Sequence, residues 1–246
     1  MPTSSQRADL FLVEHGYAAS RAEARGAIKA GRVAADGKPV TKPAQMLREG
    51  QHIAFEKEHP YVSRGALKLI AALDHFGFSP EGRICLDIGA STGGFTQVLL
   101  ERGAKCVTAI DVGHGQLDET ISADPRVHSF EGVNARDLTT DIVAEAPEVI
   151  VIDVSFISLM LALPRALEMA AKGAWLIALV KPQFEVGREH VGRGGIVKDR
   201  HVGIAAAERV AEWLASIDGW HVHGLIESPI AGGDGNREYL LAAIKS

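Results

Sequence analysis

The sequence predicts an α/β protein in two parts: a small N-terminal α+β unit, then a larger unit built on a doubly wound, mostly parallel sheet. From residue 61 onward, strand-like apolar runs alternate with helical patterns, which is typical of a parallel sheet with helices on both faces. A glycine-rich loop without a helix joins the last two runs, so we expect the last strand to be antiparallel. His59-Pro60 marks the break, because the residue before proline is pushed out of helical geometry. We therefore predict domains at 1–60 and 61–246.

In the first unit, the sequence predicts two helices followed by a hairpin. An apolar helical stripe stops at Gly16, and Ser20 is placed to cap the second helix. Two short apolar runs then flank Asp36-Gly37, a dipeptide typical of a tight hairpin turn. Residues 51–55 are expected to form a final strand.

In the second unit, apolar runs of strand length and helical periodicity predict seven strands and four helices. The strands are expected over residues 84–88, 106–111, 127–131, 149–153, 174–180, 220–226 and 239–244. The helices are expected over residues 65–76, 94–101, 159–171 and 201–217.

The composition is that of an ordinary globular protein, with 46% of its 246 residues hydrophobic and 23% charged. No run approaches the ~18 to 20 apolar residues of a membrane-spanning helix, and the N-terminus is too polar for a signal peptide. We therefore expect a cytoplasmic protein with no membrane partner. Cys85 and Cys106 lie in strand-like runs and are expected to be buried, reduced thiols. None of the ten histidines shows metal-ligand spacing, so no metal site is predicted.

Charge is distributed unevenly between the two units. The net charge of −5 argues against indiscriminate binding to nucleic acid, yet residues 1–60 carry nine Lys/Arg against seven Asp/Glu. Basic side chains on one rigid face can follow the phosphates of structured RNA. The alternative is a solvated basic helix face, and Glu23 and Asp36 interrupt the patch, so it should bind weakly alone. The candidate RNA contacts here are Arg7, Ser20, Arg21, Arg25, Lys29, Arg32, Lys38 and Lys42.

A glycine-rich turn follows the first strand of the second unit and predicts a nucleotide-type cofactor. Its pattern, Gly89-x-Ser91-x-Gly93-Gly94, departs from the Gly-x-Gly-x-x-Gly of dinucleotide sites, and the carboxylate of Asp87 precedes it. That anion would oppose a pyrophosphate by roughly a few kcal/mol but would suit the cationic end of S-adenosyl-L-methionine. We favour this methyl donor over NAD and over a turn with no ligand. The candidate cofactor contacts are Asp87, Gly89, Ala90, Ser91, Thr92, Gly93, Gly94, Phe95, Asp111, Val112, Asn134 and Asp153.

Four charged residues fall at the ends of predicted elements around this turn. Asp153 ends the fourth strand, Lys181 closes the fifth, Glu238 opens the last and Lys68 lies on the first helix of the unit. Each alone could be a surface lysine or a capping acid. Together, two lysines and two acids beside a methyl donor suit methyl transfer to a ribose hydroxyl.

The chain resembles the TlyA (hemolysin A) family over about residues 7–244. The S4-like stretches are 19–25 and 28–33, and the most specific stretches beyond them are 61–65, 86–95, 111–117, 153–159, 180–185 and 228–239. The resemblance implies an S4 RNA-binding domain fused to an FtsJ-like, Rossmann-like class I methyltransferase domain. It also implies methyl transfer from S-adenosyl-L-methionine to a cytidine ribose 2′-hydroxyl in ribosomal RNA, with ribosomal subunits as partners. The family's Lys-Asp-Lys-Glu tetrad falls on Lys68, Asp153, Lys181 and Glu238. Ala66 departs from an expected glycine, which bears on helix packing.

The chemistry can be argued from the residues as well. A ribose hydroxyl is a poor nucleophile whereas a sulfonium donor is already activated, so catalysis is mainly in-line positioning and stabilisation of the developing alkoxide. We expect Lys181 to lie nearest the hydroxyl, as a base with a depressed pKa or as a stabiliser of the oxyanion, while Asp153 and Glu238 orient the two ammonium groups. In the loop that follows, Arg188 and Arg193 are candidate RNA contacts, as is Arg64 near the start of the unit. Phe184 is expected either to stack a base or to pack in the core.

Three other functions remain open from the sequence alone. An NAD-dependent dehydrogenase would leave the basic N-terminal unit and Lys181-Pro182 unexplained. An RNA-binding factor without catalysis would leave the tetrad unexplained. A membrane-lytic protein would need a spanning segment or a strongly basic amphipathic helix, and the sequence has neither pattern.

Overall fold

The chain forms two compact units, Met1–Pro60 and Tyr61–Ser246, in a computed structural model that describes residues 5–18, 20–57, 59–233 and 235–246. Ala19 of the S4-like stretch and Asp234 of the glycine loop lie outside the described residues.

The described residues of the first unit form an α+β fold with two helices and two small antiparallel sheets. Its elements are β1 (Ser5–Arg7), α1 (Ala8–Glu14), α2 (Arg21–Lys29), β2 (Val33–Ala35), β3 (Lys38–Pro39), β4 (Met46–Arg48) and β5 (Ile53–Phe55). β1 pairs with β4, and β2 lies between β3 and β5. Ser20 Oγ accepts a hydrogen bond from Glu23 N and caps α2 as predicted. The hairpin turn has positive φ at both Asp36 (51°) and Gly37 (75°), which this two-residue turn requires.

The second unit contains a seven-stranded sheet with helices on both faces. Its strands are β6 (Ile84–Ile88), β7 (Cys106–Asp111), β8 (Val127–Glu131), β9 (Val149–Ile152), β10 (Trp175–Val180), β11 (Trp220–Glu227) and β12 (Tyr239–Lys245). Its helices are α3 (Gly65–Phe76), α4 (Gly94–Glu101), α5 (Glu119–Ser122), α6 (Leu159–Ala162), α7 (Pro164–Met169), α8 (Pro182–Glu185) and α9 (Arg200–Ala215), with 3₁₀ turns at Ala135–Asp137 and Arg188–His190.

The strand order β11-β12-β10-β9-β6-β7-β8 confirms the predicted fold class. β12 is antiparallel to both neighbours, while β10, β9, β6, β7 and β8 are parallel to one another. One hydrophobic cluster packs α6, α7 and α9 on one face, and a second packs α3 and α4 on the other. The central strands are buried on both faces, which explains their continuous apolar sequence.

One helix prediction is wrong. Residues 159–171 do not form a single helix: α6 ends at Ala162, and α7 begins at Pro164 and ends at Met169. Proline has no N–H to donate and its ring clashes with the carbonyl four residues earlier, so it fits the first position of a new helix and not a helix interior.

Candidate functional site

The glycine turn is held against the neighbouring strands at the carboxyl edge of the sheet. Gly89 N and Ala90 N both donate to Ile110 O, at 2.8 and 3.1 Å. Gly89 has φ of 81°, and a Cβ at this position would lie 2.4 Å from the carbonyl oxygen of Asp153. No other residue type fits so close an approach. Ser91 N donates to Asp111 Oδ2 at 2.8 Å, which fixes the far side of the turn.

A cleft of about 310 Å³ opens beside this turn at the ends of β6, β7 and β9. Six of the predicted cofactor contacts line it: Gly89, Ser91, Asp111, Val112, Asn134 and Asp153. The other six, Asp87, Ala90, Thr92, Gly93, Gly94 and Phe95, do not line it. Phe95 belongs to the hydrophobic cluster with α3, and a Cβ on Gly94 would meet Ser63 Oγ at 2.0 Å. The start of α4 therefore positions the turn by packing.

Asp87 lies beneath the turn, fully buried. Its Oδ2 accepts a hydrogen bond from Thr96 Oγ1 at 2.6 Å, and its Oδ1 has no hydrogen-bond partner among the described residues. Burial, with the neighbouring carboxylates of Asp153 and Asp111 adding to it, raises the pKa of Asp87 to about 7. A cationic ligand above the turn would relieve this accumulation of negative charge.

Lys68 and Glu238 form a buried ion pair. Lys68 Nζ donates to Glu238 Oε2 at 2.5 Å, and the side chains are 9% and 3% exposed. The two residues are 170 positions apart in the sequence. Lys68 lies one turn into α3, and Glu238 directly precedes β12.

Lys181 and Asp153 form a second, more accessible ion pair. Their Nζ and Oδ1 atoms are 2.6 Å apart, with side-chain exposures of 12% and 22%. Lys181 Nζ also donates to Ser155 Oγ at 2.9 Å. Ser155 and Asp153 both line the cleft, so the Lys181 ammonium group lies at its border.

Strand register brings the two pairs to one edge of the sheet. Val180 pairs with Tyr239 in the antiparallel ladder, which places Lys181 opposite Glu238 at the strand ends. Lys68 and Gly65 both belong to the first turn of α3. A Cβ at Gly65 would lie 3.7 Å from Asp153 Oδ2, so this turn lies against the carboxylate of Asp153. The two ion pairs therefore lie at the same edge of the sheet, and each ammonium group has its own carboxylate.

Phe156 is a residue of the site that the sequence analysis missed. It is 91% exposed, has φ of 65° and lines the cleft. Its ring contacts Phe184 with centroids 5.2 Å apart. Glu185 holds the residues that follow Phe156 in place, because its carboxylate accepts hydrogen bonds from Ser158 Oγ and Leu159 N. Positive φ at a bulky residue is costly, and strained positions of this kind cluster at functional sites.

In the first unit, three of the predicted RNA contacts converge on one buried acid. Arg7, Arg21 and Arg25 donate to the carboxylate of Asp9 at 3.0 to 3.2 Å. Asp9 is fully buried, whereas each arginine keeps about half of its side chain exposed. The bond from Arg7 holds the pKa of Asp9 well below its usual range despite burial, with Arg21 assisting. Ser20 caps α2, Arg32 is partly buried, and Lys29, Lys38, Lys42, Arg64, Arg188 and Arg193 are exposed.

The described ranges lack two classes of feature. They contain no cluster of His, Cys, Asp and Glu side chains arranged to hold a metal ion. Within those same ranges, no helix has both the length and the apolar character needed to cross a membrane.

The strand order and the glycine turn after β6 define the Rossmann-like fold of methyltransferases. Residues 61–245 match the FtsJ-like methyltransferase family, and residues 6–53 match the S4 domain.

Three relatives narrow this assignment. The chain is 45% identical over 237 residues to the 16S/23S rRNA (cytidine-2′-O)-methyltransferase TlyA of Mycobacterium tuberculosis, covering 96% of this chain and 88% of the relative. It is 41% identical to a protein named Hemolysin A from Brachyspira hyodysenteriae, over 95% of this chain and 98% of that one. A solved structure named "Putative hemolysin from Streptococcus thermophilus" matches with a TM-score of 0.79 and 40% identity, covering 99% of this chain and 90% of that chain. The chain therefore belongs to the TlyA family of FtsJ-like methyltransferases with an S4 domain.

Proposed function

We propose that this enzyme transfers a methyl group from S-adenosyl-L-methionine to the 2′-hydroxyl of a cytidine in ribosomal RNA. The observation that carries the proposal is the accessible Lys181–Asp153 pair at the border of the cleft, backed by the buried Lys68–Glu238 pair. The substrate class is supported by the name of the relative that is 45% identical over nearly the whole chain.

The residues of the cleft fit this donor better than a dinucleotide. Three carboxylates, those of Asp87, Asp111 and Asp153, lie at or beneath the glycine turn, and Asp87 keeps an oxygen without a partner among the described residues. Such a setting attracts a cationic ligand and repels a pyrophosphate. Asp111 and Asn134 would contact the nucleoside, and Gly89 allows the ligand to approach the backbone. When bound, the donor supplies an activated methyl group on a sulfonium.

Lys181 is the group that would act on the acceptor. Its ion pair with Asp153 holds an ammonium group at the cleft border, where it would stabilise the negative charge that develops on the ribose oxygen. The hydroxyl proton would pass to the carboxylate of Asp153, because the ammonium group of Lys181 has no lone pair to accept it. Ser155 restricts the position of the ammonium group through its hydrogen bond. Lys68 and Glu238 hold α3 and β12 together beneath the pair and position it.

Acceptor recognition is assigned to two further features. Phe156 presents an exposed aromatic ring at the cleft, and aromatic rings stack unpaired bases of RNA. The S4 domain presents three arginines whose orientation is fixed by Asp9, and such an array suits RNA phosphates. The ribosomal subunits would thus be its partners.

The direct test is a methyl-transfer assay with labelled donor and ribosomal subunits that lack 2′-O-methylation, followed by mapping of the modified nucleotide. The proposal predicts label at a cytidine ribose in RNA from the small subunit, the large subunit or both. Label on a base, or no label on either subunit while the protein binds the donor, would contradict it. Lys172→Ala is a matched control, because Lys172 is an exposed lysine before β10, at the opposite end of that strand from Lys181.

A further inference from the structure

A second cleft, of about 240 Å³, lies on the other side of Lys181 from the first. It is lined by Pro182, Ile196, Val197, Lys198, Asp199, Arg200, Gly203, Gly235, Arg237 and Tyr239. Pro182 directly follows Lys181 and Tyr239 directly follows Glu238, so the cleft adjoins the two ion pairs of the candidate site.

Tyr239 gives this cleft a buried polar group that needs a partner. The residue is 4% exposed, and its hydroxyl has no hydrogen-bond partner among the described residues. A tyrosine hydroxyl carries its proton at neutral pH, and burial raises the pKa of Tyr239 further. A buried donor without an acceptor is destabilising, which points to a ligand with acceptor oxygens.

The charges around the cleft favour an anion. Three cations, Lys198, Arg200 and Arg237, line it against one carboxylate, and that carboxylate, Asp199, is engaged as the cap of α9 through His201 N at 2.8 Å. Arg200 and Arg237 both pair with Glu227, at 3.1 and 3.6 Å, which holds them in place and offsets part of their charge. Within residues 59–233 and 235–246, Lys198 makes no ion pair. The first turn of the 16-residue helix α9 also faces the cleft and adds partial positive charge.

The walls of the cleft are fastened together by a buried side chain. Asn236 is fully buried, its Oδ1 accepts from Val197 N at 2.9 Å and its Nδ2 donates to Gly195 O at 2.9 Å. This clamp joins the loop before α9 to the loop before β12, so the basic side chains stand on a fixed frame.

The order of sites along the sheet indicates what the cleft serves. The first cleft lies at the ends of β6, β7 and β9, the two ion pairs lie at β9, β10 and β12, and the second cleft lies at β10, β12 and α9. The second cleft is therefore on the side of Lys181 away from the proposed donor, where the acceptor chain would run.

We propose that this second cleft is a phosphate subsite that holds one phosphodiester group of the RNA acceptor beside the target ribose. Tyr239 and Lys198 donate to the phosphate oxygens, and Arg200 and Arg237 supply the surrounding positive charge. This inference rests on the proposed function for the identity of the acceptor.

The test measures binding of unmodified ribosomal RNA transcripts to the full-length protein over a series of salt concentrations. Lys198→Ala is expected to reduce the slope of log affinity against log salt by about 0.7 to 1 and to weaken binding similarly for all sequences. Tyr239→Phe is expected to weaken RNA binding about tenfold while leaving the melting temperature unchanged or higher, because it removes a buried donor that lacks a partner. Lys172→Ala should match the unsubstituted protein.

The outcomes separate this inference from the proposed function, because RNA binding needs no methyl transfer. If Lys198→Ala and Tyr239→Phe bind RNA like Lys172→Ala, the subsite is overturned even where methylation is normal. If both variants lose affinity as expected but the unsubstituted protein methylates no ribosomal RNA, the subsite stands and the proposed reaction fails. A loss of donor affinity equal to the loss of RNA affinity would also overturn the subsite, since it would show a general structural effect.

Discussion

Removing Lys68 alone should destabilise the protein far more than removing Lys181 alone. The difference comes from the carboxylate that each lysine leaves behind: Glu238 is 3% exposed, whereas Asp153 is 22% exposed and can be reached by water. Leaving a buried charge without its partner costs about 3 to 5 kcal/mol. Leaving a partly solvated one costs on the order of 1 kcal/mol.

These free-energy costs predict different losses of melting temperature for the two variants. For a unit of this size each kcal/mol lowers the melting temperature by about 2 to 4 °C, so Lys68→Ala should lower it by about 6 to 20 °C and Lys181→Ala by about 2 to 4 °C. The assay is thermal unfolding followed by circular dichroism, at one pH and ionic strength for all variants.

A double variant tests the cause of the loss. Lys68→Met combined with Glu238→Leu removes both charges and keeps similar volumes, so it should recover most of the stability lost in Lys68→Ala. Equal melting temperatures for the double variant and Lys68→Ala would refute the argument from the unpaired charge. So would a larger loss for Lys181→Ala than for Lys68→Ala.

Three further predictions concern other parts of the chain. The pKa of Asp87 is raised from 3.8 to about 7 in the folded protein. Its contribution to stability is therefore full below about pH 4 and is lost as the pH rises through 7. Asp87→Asn should flatten the pH dependence of the free energy of unfolding, measured with urea, between these two pH values. Phe156→Gly should keep or raise stability by about 1 kcal/mol, because φ of 65° suits glycine, while lowering methyl transfer to RNA; unchanged turnover would remove Phe156 from the acceptor site. Asp9→Asn should weaken RNA binding and destabilise the S4 domain by about 2 kcal/mol, because three arginines lose their shared carboxylate; RNA affinity equal to that of the unsubstituted protein would contradict this.

Elements with strong periodicity and clear end signals could be predicted from the sequence. The bounds of β6, β7 and β8 and of α3 and α4 are those expected, because apolar runs end at glycine or at a charged residue there. Elements of three or four residues, such as β1, β4, α5 and α8, were not predicted, since such short stretches carry no periodic signal.

The candidate site could be predicted only in part. The ends of strands identified Asp153, Lys181 and Glu238 as neighbours, because parallel strands bring their carboxyl ends to one edge and an antiparallel last strand begins at that same edge. Which lysine pairs with which acid depends on register and on the approach of α3, and neither is encoded locally. The same holds for Asp9, which gathers arginines from two different elements. The sequence also gives no signal for the backbone strain at Phe156, because neither its positive φ nor its exposure can be read from the residue type.

The most direct measurement of the central claim is methyl transfer by Lys181→Ala to unmodified ribosomal subunits, with donor affinity measured by calorimetry on the same sample. If the Lys181 ammonium group stabilises the reacting ribose oxygen, kcat should fall by about 10²- to 10³-fold while the Kd for the donor stays within about twofold. Lys172→Ala should show neither change. Near-normal turnover in Lys181→Ala would contradict the account.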